Sequence, residues 1–352
     1  MRWLSMNRVL IKNFTLPQLE GWVENLDERP FRARQLFRQL YVRHVTSWDE
    51  CSDLSKSFRN RLESATLLKA LELADKRQDS DGTIKYLFAL QDGLHIEAVL
   101  IPDPPRYTLC LSSQVGCALG CKFCRTGALG FQRHLQTAEI VDQVCRVQSD
   151  LAPEVRISNL VFMGMGEPLA NYEAVTQAIA IMLDANGLAF SHRRITLSTV
   201  GLIPQLRRLG AQLPVNLAIS LHAAEDRIRD QLMPINRTYP LRELMEACRN
   251  YLLPARKRIT FEYVLLEGVN DSLSQAHKLV KLLHGIRAKV NLIPFNEYPN
   301  SGYRKPSEDQ MLAFQEVLTS AHLTATIRRS RGSGINAACG QLAAQQGEEL
   351  GP

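Results

Sequence analysis

The chain has 352 residues, enough for one large domain or two moderate ones, and its 45% hydrophobic and 22% charged residues are ordinary for a water-exposed globular fold. Its 42 basic and 36 acidic residues leave a net charge of +6, which permits a polyanionic partner without requiring one. No apolar run reaches membrane-span length, Met1–Asn13 lacks a secretory h-region, and eight unevenly spaced cysteines do not form a secreted disulfide scaffold, so the expected location is reducing and cytoplasmic.

In chain order, residues 1–65 read as a helical accessory domain. Leu16–Leu26 and Phe31–Val42 carry apolar residues at helical spacing, and Pro17 suits a first helical turn. Arg32, Arg34, Arg38, Arg43, Arg59 and Arg61 accumulate here. They read either as a solvated helical face or as an RNA-contacting module. Residues 66–104 read as a small β-rich connecting segment. Thr83–Leu90 and His95–Leu100 flank a Gln91-Asp92-Gly93 turn, and Pro102-Asp103-Pro104-Pro105 breaks the chain before the next domain.

From 105 to 342, β-rich runs alternate with helical stretches. Strands are expected at Thr108–Ser112, Asn159–Met163, Arg194–Ser198, Val215–Ser220, Ile259–Leu265 and Lys289–Ile293. Helices are expected between them, at Thr137–Asp150, Tyr172–Ala185, Ile203–Gln212, Leu241–Leu252 and Ser272–Leu283. Alternation of this kind implies parallel crossovers and an α/β partial (β/α)6 barrel. A last helix, Pro306–His322, and a strand, Ala325–Arg328, follow, and residues 343–352 read as a flexible tail.

Directly after the first barrel strand stand Cys117, Cys121 and Cys124, spaced C-x3-C-x2-C. Thiolates are soft ligands for iron–sulfur clusters or zinc. Structural zinc wants four protein ligands, and neither His134 nor Cys145 completes a standard zinc spacing. Three thiolates on one loop hold three corners of a cubane and leave a fourth iron open to an external ligand. Gly164-Met165-Gly166-Glu167-Pro168 follows the second strand as a ligand-binding loop, at the strand end where barrel enzymes keep their sites. Small polar groups recur at later strand ends in Ser198-Thr199-Val200-Gly201, Ser220-Leu221-His222-Ala223 and Ile293-Pro294-Phe295-Asn296. Near the end, Cys339 lies in a glycine-flanked loop behind Arg328, Arg329 and Arg331 and reads either as an idle cysteine or as a mobile reactive thiol whose thiolate those arginines favour.

The triplet after a first barrel strand resembles the radical SAM superfamily. Together with G-M-G-E-P, S-L-H-A and A-C-G-Q-L, and with Phe31-Arg32-Ala33 and Asp53-Leu54-Ser55, it makes nearly the whole chain similar to the RlmN/Cfr family of radical SAM RNA methyltransferases. The resemblance implies a [4Fe–4S] cluster on Cys117, Cys121 and Cys124, with its open iron chelating S-adenosylmethionine. It implies contacts to that cofactor from Gly166, Glu167, Ser198, Ser220, Leu221, His222 and Asn296. It makes Cys339 the S-methylated cysteine, Cys110 the second catalytic cysteine, and Glu97 the proton acceptor.

Adenine C2 and C8 are electrophilic, so direct displacement of a methyl cation cannot deliver a methyl group there. The resemblance implies instead two molecules of S-adenosylmethionine. One methylates Cys339, and the other yields a radical that removes hydrogen from that methyl group. The carbon radical adds to adenine, and Cys110 then releases the product by forming a disulfide with Cys339. The target adenine has to be splayed from any stack. The implied partners are 23S ribosomal RNA at the peptidyl-transferase centre, transfer RNA at the adenine 3′ to the anticodon, and an electron donor such as flavodoxin or ferredoxin; a monomer is expected. Rival readings are C8 methylation, a radical SAM enzyme acting on a small molecule or protein, and a non-catalytic zinc-dependent RNA-binding protein. One departure stands out: acidic residues are expected near positions 334 and 336, where the chain has Gly334 and Asn336.

Overall fold

The computed structural model describes residues 8–254, 256–298 and 301–344. Its N-terminal module is helical, as its apolar spacing requires. Helix α1 (Leu16–Glu24) opens on a Thr15/Gln18 capping box with Pro17 in the first turn, and buries Leu16, Leu19 and Val23. Helix α2 (Phe31–Tyr41) buries Ala33, Leu36, Phe37 and Leu40, and α3 (Lys56–Ala65) starts where the Ser55 side chain accepts from Phe58 N–H. A parallel pair, β1 (Val9–Leu10) and β2 (Thr66–Leu67), closes the module. Of the arginines between 32 and 61, four are engaged within the module: Arg32 and Arg61 with Glu28, Arg34 with Glu20, and Arg59 with Asp49. Arg38 and Arg43 are exposed.

Strands β3 (Leu71–Gln78), β4 (Ile84–Leu90), β5 (His95–Asp103) and β6 (Arg106–Cys110) form an antiparallel run. The proline-rich break at 102–105 is a tight turn between β5 and β6, pairing Asp103 with Arg106, so the sheet crosses it without interruption. Strand β3 has no clear alternation in sequence, because as an edge strand it carries charges at Glu72, Asp75, Lys76 and Arg77, three of them in succession.

The barrel continues through β9 (Asn159–Phe162), β10 (Ile195–Thr199), β11 (Asn216–Ser220), β12 (Ile259–Leu265), β13 (Ala288–Pro294) and β14 (Ala325–Ile327), preceded by a short hairpin of β7 (Gln114–Gly116) and β8 (Phe131–His134). The ten-stranded sheet has the order β14-β13-β12-β11-β10-β9-β6-β5-β4-β3, parallel from β6 through β14. Crossover helices include α5 (Thr137–Asp150), α6 (Tyr172–Leu183), α7 (Ile203–Gln212), α9 (Leu241–Arg249) and α10 (Leu273–Leu282); α11 (Glu308–Ser320) precedes β14. The intervening α8 (Asp226–Leu232) is an addition that the sequence did not signal. Parallel connectivity brings every C-terminal strand end to one mouth.

One apolar core runs from Leu19, Val23 and Phe37 of the module into the barrel. A buried ion pair crosses the same boundary: Lys12 donates to Asp142 of α5, and Asp142 also accepts from Ala70 N–H at 2.9 Å and Leu71 N–H at 3.1 Å. Among the described residues no helix is long and apolar enough to cross a membrane.

Candidate active site

The β7–β8 hairpin holds the cysteine loop. Its backbones meet so closely that a side chain on Gly116 would place Cβ 1.9 Å from the carbonyl oxygen of Gly130, a position with φ of +72° as well. Cys117 N–H donates to the same carbonyl at 2.8 Å, and Lys122 N–H donates to Leu232 of α8 at 2.9 Å. The three thiols line a cavity of about 170 Å³ at the strand mouth with Glu167, Ser198, Ser220, His222, Asn296 and Cys339. A wider groove of about 410 Å³ lies beside Trp48, Lys69 and Leu71. It is open, lacks a convergent set of reactive side chains, and is not where the chemistry belongs.

Burial pushes the Cys117 thiol up to about 11, and it raises Cys121 and Cys124 as well. A bound cation displaces the protons of such thiols to solvent and stabilises the thiolates, which is what a cluster iron would do here. Among the described residues no trio converges as it would around a single metal ion. A cubane takes each thiolate at a separate iron and needs no such convergence. The donor set therefore suits a cluster better than zinc.

Gly164 and Gly166 are required at their positions. A Cβ at Gly164 would lie 2.6 Å from the Leu111 carbonyl, and one at Gly166 would overlap the Gln114 side chain at 2.5 Å. Glu167 is buried, and its two oxygens accept from Leu169 N–H at 2.9 Å and Val200 N–H at 3.0 Å. It thus ties β9's loop to the end of β10. His222 has a left-handed backbone, packs edge-on against Phe123 at 4.6 Å, and accepts from Val264 N–H at 2.9 Å through Nδ1. Burial, helped by the Arg229 charge, lowers it to about 3, so the ring is neutral with its proton on Nε2. Leu221, expected at the cofactor, buries its side chain in the main core, away from the cavity; its N–H donates to the Glu262 carbonyl at 3.0 Å.

Cys339 is exposed at the cavity wall and also lines a second, adjoining cavity with Cys110, Met163, Arg328, Arg329 and Arg331. Burial, then the neighbouring Cys339, pushes the Cys110 thiol up to about 12. Both thiols are free. Cys339 first, then Glu262 and Cys110, raise the Arg328 guanidinium further above its ordinary value against the effect of burial. Asn296 donates to the Cys339 carbonyl at 3.1 Å, so it braces the cysteine loop as well as lining the cavity. Glu97 is not in this cavity. Its carboxylate faces a neighbouring recess, 3.0 Å from Lys85 Nζ, and accepts from Ala343 N–H at 2.8 Å. Ala343 is therefore buried and held rather than part of a frayed tail; residues 345–352 lie outside those described.

The missing acids at 334 and 336 have counterparts across the loop. Gly332 N–H donates to Asp81 and Gly334 N–H to Asp79, each at 3.0 Å, so the β3–β4 turn supplies the carboxylates. Two residues escaped the sequence reading. Arg229 of α8 is fully buried and donates to the carbonyls of Val200 at 2.9 Å, Leu221 at 3.1 Å and Ser220 at 3.3 Å, and to Asn236 at 2.8 Å. It clamps the mouth ends of β10 and β11, yet Asp226–Leu232 reads in sequence as a solvated helical face. Glu262, a lone charge within apolar Ile259–Leu265, carried a signal that could have been read.

A cysteine triplet at the mouth of a partial parallel barrel, with a glycine-rich loop after the next strand, defines a radical SAM enzyme, and residues 111–280 match the radical SAM superfamily. Residues 9–68 match the ribosomal RNA large subunit methyltransferase N-terminal domain. A dual-specificity RNA methyltransferase RlmN of Syntrophobacter fumaroxidans is 66% identical over 97% of this chain and 100% of its own length. One of Geobacter sulfurreducens is 51% identical over 94% of this chain and 91% of its own length. The crystal structure of a radical SAM methyltransferase from Sphaerobacter thermophilus is 43% identical, with a TM-score of 0.92 over 96% of this chain and 100% of that one. The chain belongs to the RlmN family of radical SAM RNA methyltransferases, whose cofactors are a [4Fe–4S] cluster and S-adenosylmethionine.

Proposed function

We propose that the protein methylates carbon 2 of an adenine in RNA, with 23S ribosomal RNA and transfer RNA as substrates and Cys339 as the methyl carrier. The observation that carries this reading is the position of Cys339, on the wall shared by the cofactor cavity and the arginine-lined cavity that holds Cys110. When bound, the cluster and S-adenosylmethionine supply one-electron chemistry able to remove hydrogen from a methyl group. Cys117, Cys121 and Cys124 hold the cluster, while Gly166, Glu167, Ser198, Ser220, His222 and Asn296 shape the cofactor's berth. Cys339, once methylated on sulfur by S-adenosylmethionine, would carry that methyl group between the cofactor cavity and an adenine held at the second cavity. Cys110 ends the cycle by attacking the sulfur of Cys339, which releases the RNA and leaves a disulfide. Glu97, held by Lys85 and Ala343 N–H in the neighbouring recess, is the proposed acceptor of the adenine ring proton.

Arg38 and Arg43, together with Arg328, Arg329 and Arg331 at the second cavity, are the proposed phosphate contacts. The protein works as a monomer in the cytoplasm and takes electrons from a flavodoxin- or ferredoxin-type donor. The test is anaerobic reconstitution with iron and sulfide, followed by turnover with S-adenosylmethionine bearing a deuterated methyl group and 23S or transfer RNA. The expected product is 2-methyladenosine with two of the three methyl deuteriums retained. Cofactor cleavage without methylation of either RNA refutes the assignment, and 8-methyladenosine refutes the position.

A further inference from the structure

Glu262 is a carboxyl group for which the functional reading has no task. It lies on β12, is 3% exposed, and lines the cofactor cavity. One oxygen, Oε1, accepts from Asn291 Nδ2 at 3.0 Å; Oε2 is buried with no hydrogen-bond partner. A buried carboxylate oxygen left unpaired bears its full desolvation penalty, so an orphan of this kind in a cavity wall marks the place of a missing donor. Glu167, the other carboxylate lining the cavity, has both oxygens engaged by backbone N–H groups.

The two carboxylates lie at different ends. Glu167 acts electrostatically on Cys117 and Cys121, whereas Glu262 acts on Arg328, beside Cys339. The methionine end of S-adenosylmethionine belongs to the cluster iron, which leaves the nucleoside for the Glu262 end. Strand register adds a second constraint. Glu262 is paired across the sheet with Ser220 on one side and Asn291 on the other, so a hydroxyl, a carboxylate and an amide stand in one row. A vicinal diol, which donates and accepts at two adjacent oxygens, matches such a row better than the donor-only amino group of adenine.

We propose that Glu262 is a cofactor-binding residue whose free oxygen accepts a hydrogen bond from the ribose diol of S-adenosylmethionine, with Ser220 beside it. The proposal rests on S-adenosylmethionine being the ligand of this cavity. It is tested by equilibrium dialysis of the reconstituted protein, without RNA, against S-adenosylmethionine and its 2′-deoxy and 3′-deoxy forms. Wild type is expected to bind the ribose form about 10-fold more tightly than at least one deoxy form, as befits a hydrogen bond to a charged group. Glu262→Gln, which keeps the shape and the Asn291 contact, is expected to narrow that ratio to about 2-fold with iron content unchanged. Equal affinity of wild type for all three forms overturns the proposal even if the variant does not fold. So does a Glu262→Gln protein that keeps the wild-type ratio but methylates RNA poorly, which moves the residue to the target nucleotide. Absence of any S-adenosylmethionine binding by wild type sinks the cofactor reading itself, a separate failure.

Discussion

Cys339 and Cys110 differ in setting although they share a cavity. Cys339 is exposed, whereas Cys110 is buried and its thiol pushed up to about 12. A thiol so reluctant to ionise attacks only when another charge arrives or its surroundings open. In the proposed cycle Cys110 acts last, so Cys110→Ala is expected to stop at the covalent stage. A protein–RNA adduct should then survive denaturing electrophoresis, while Cys339→Ala gives neither adduct nor product. Full product formation by either variant contradicts the assignment of its cysteine. His222 and His44 contribute to the loss of stability in acid. Burial is the first cause at both, lowering His222 to about 3 and His44 to about 4 from 6.5. Below pH 6.5 the unfolded chain takes up protons that the folded histidines refuse, so their contribution is complete above 6.5 and declines as pH falls toward 4 and then 3. Urea midpoints across this range should fall, and His44→Gln should flatten the upper part of the decline.

Lys12 and Asp142 join the N-terminal module to α5, with side chains 7% and 0% exposed. Burial is the largest influence and disfavours the Lys12 charge, but the Asp142 charge and hydrogen bond, together with Cys145, leave the lysine above its ordinary value. Removing one partner strands the other, at a cost of about 3–5 kcal/mol. Lys12→Met is therefore expected to lower stability by that order in chemical denaturation, and Lys12→Met with Asp142→Asn, which removes the stranded charge but keeps an acceptor for Ala70 and Leu71 N–H, to regain part of it. If the double variant is no better than the single, the loss is one of packing. The loop before Cys339 has its own element-scale constraint. A side chain on Gly334 starts 3.0 Å from an Asp79 carboxylate oxygen. Gly334→Asp should repel that turn and cut methyl transfer, and Gly334→Asp with Asp79→Asn should recover it; lack of recovery removes Asp79 from the account.

At the scale of the whole molecule the apolar core is continuous from module to barrel, so the module is part of one folding unit. The net charge of +6 is mild, and four module arginines are occupied by acids. RNA affinity therefore depends on few phosphate contacts. Neutralising Arg328, Arg329 and Arg331 together should lower the slope of log affinity against log salt by about 2–3, at about 0.7–0.9 per contact. An unchanged slope places the RNA elsewhere.

The local pattern already contained the alternating strands and helices, the cysteine triplet and the glycine loop, because each is a matter of spacing along the chain, whereas the joint role of Cys110 and Cys339 was implied by the family resemblance. Local pattern could not show that β3 joins the sheet edge, that 102–105 is a turn within a continuous sheet, or that α8 buries an arginine. Those depend on which surfaces meet, and charged residues on a short helix look alike in sequence whether they face water or backbone carbonyls. The same holds for the site. Sequence supplied the set of reactive groups. Packing alone placed Glu97 against Lys85 and Ala343 and left one buried oxygen of Glu262, a residue of the cavity wall, unpaired, since burial and partnership are properties of neighbours distant along the chain.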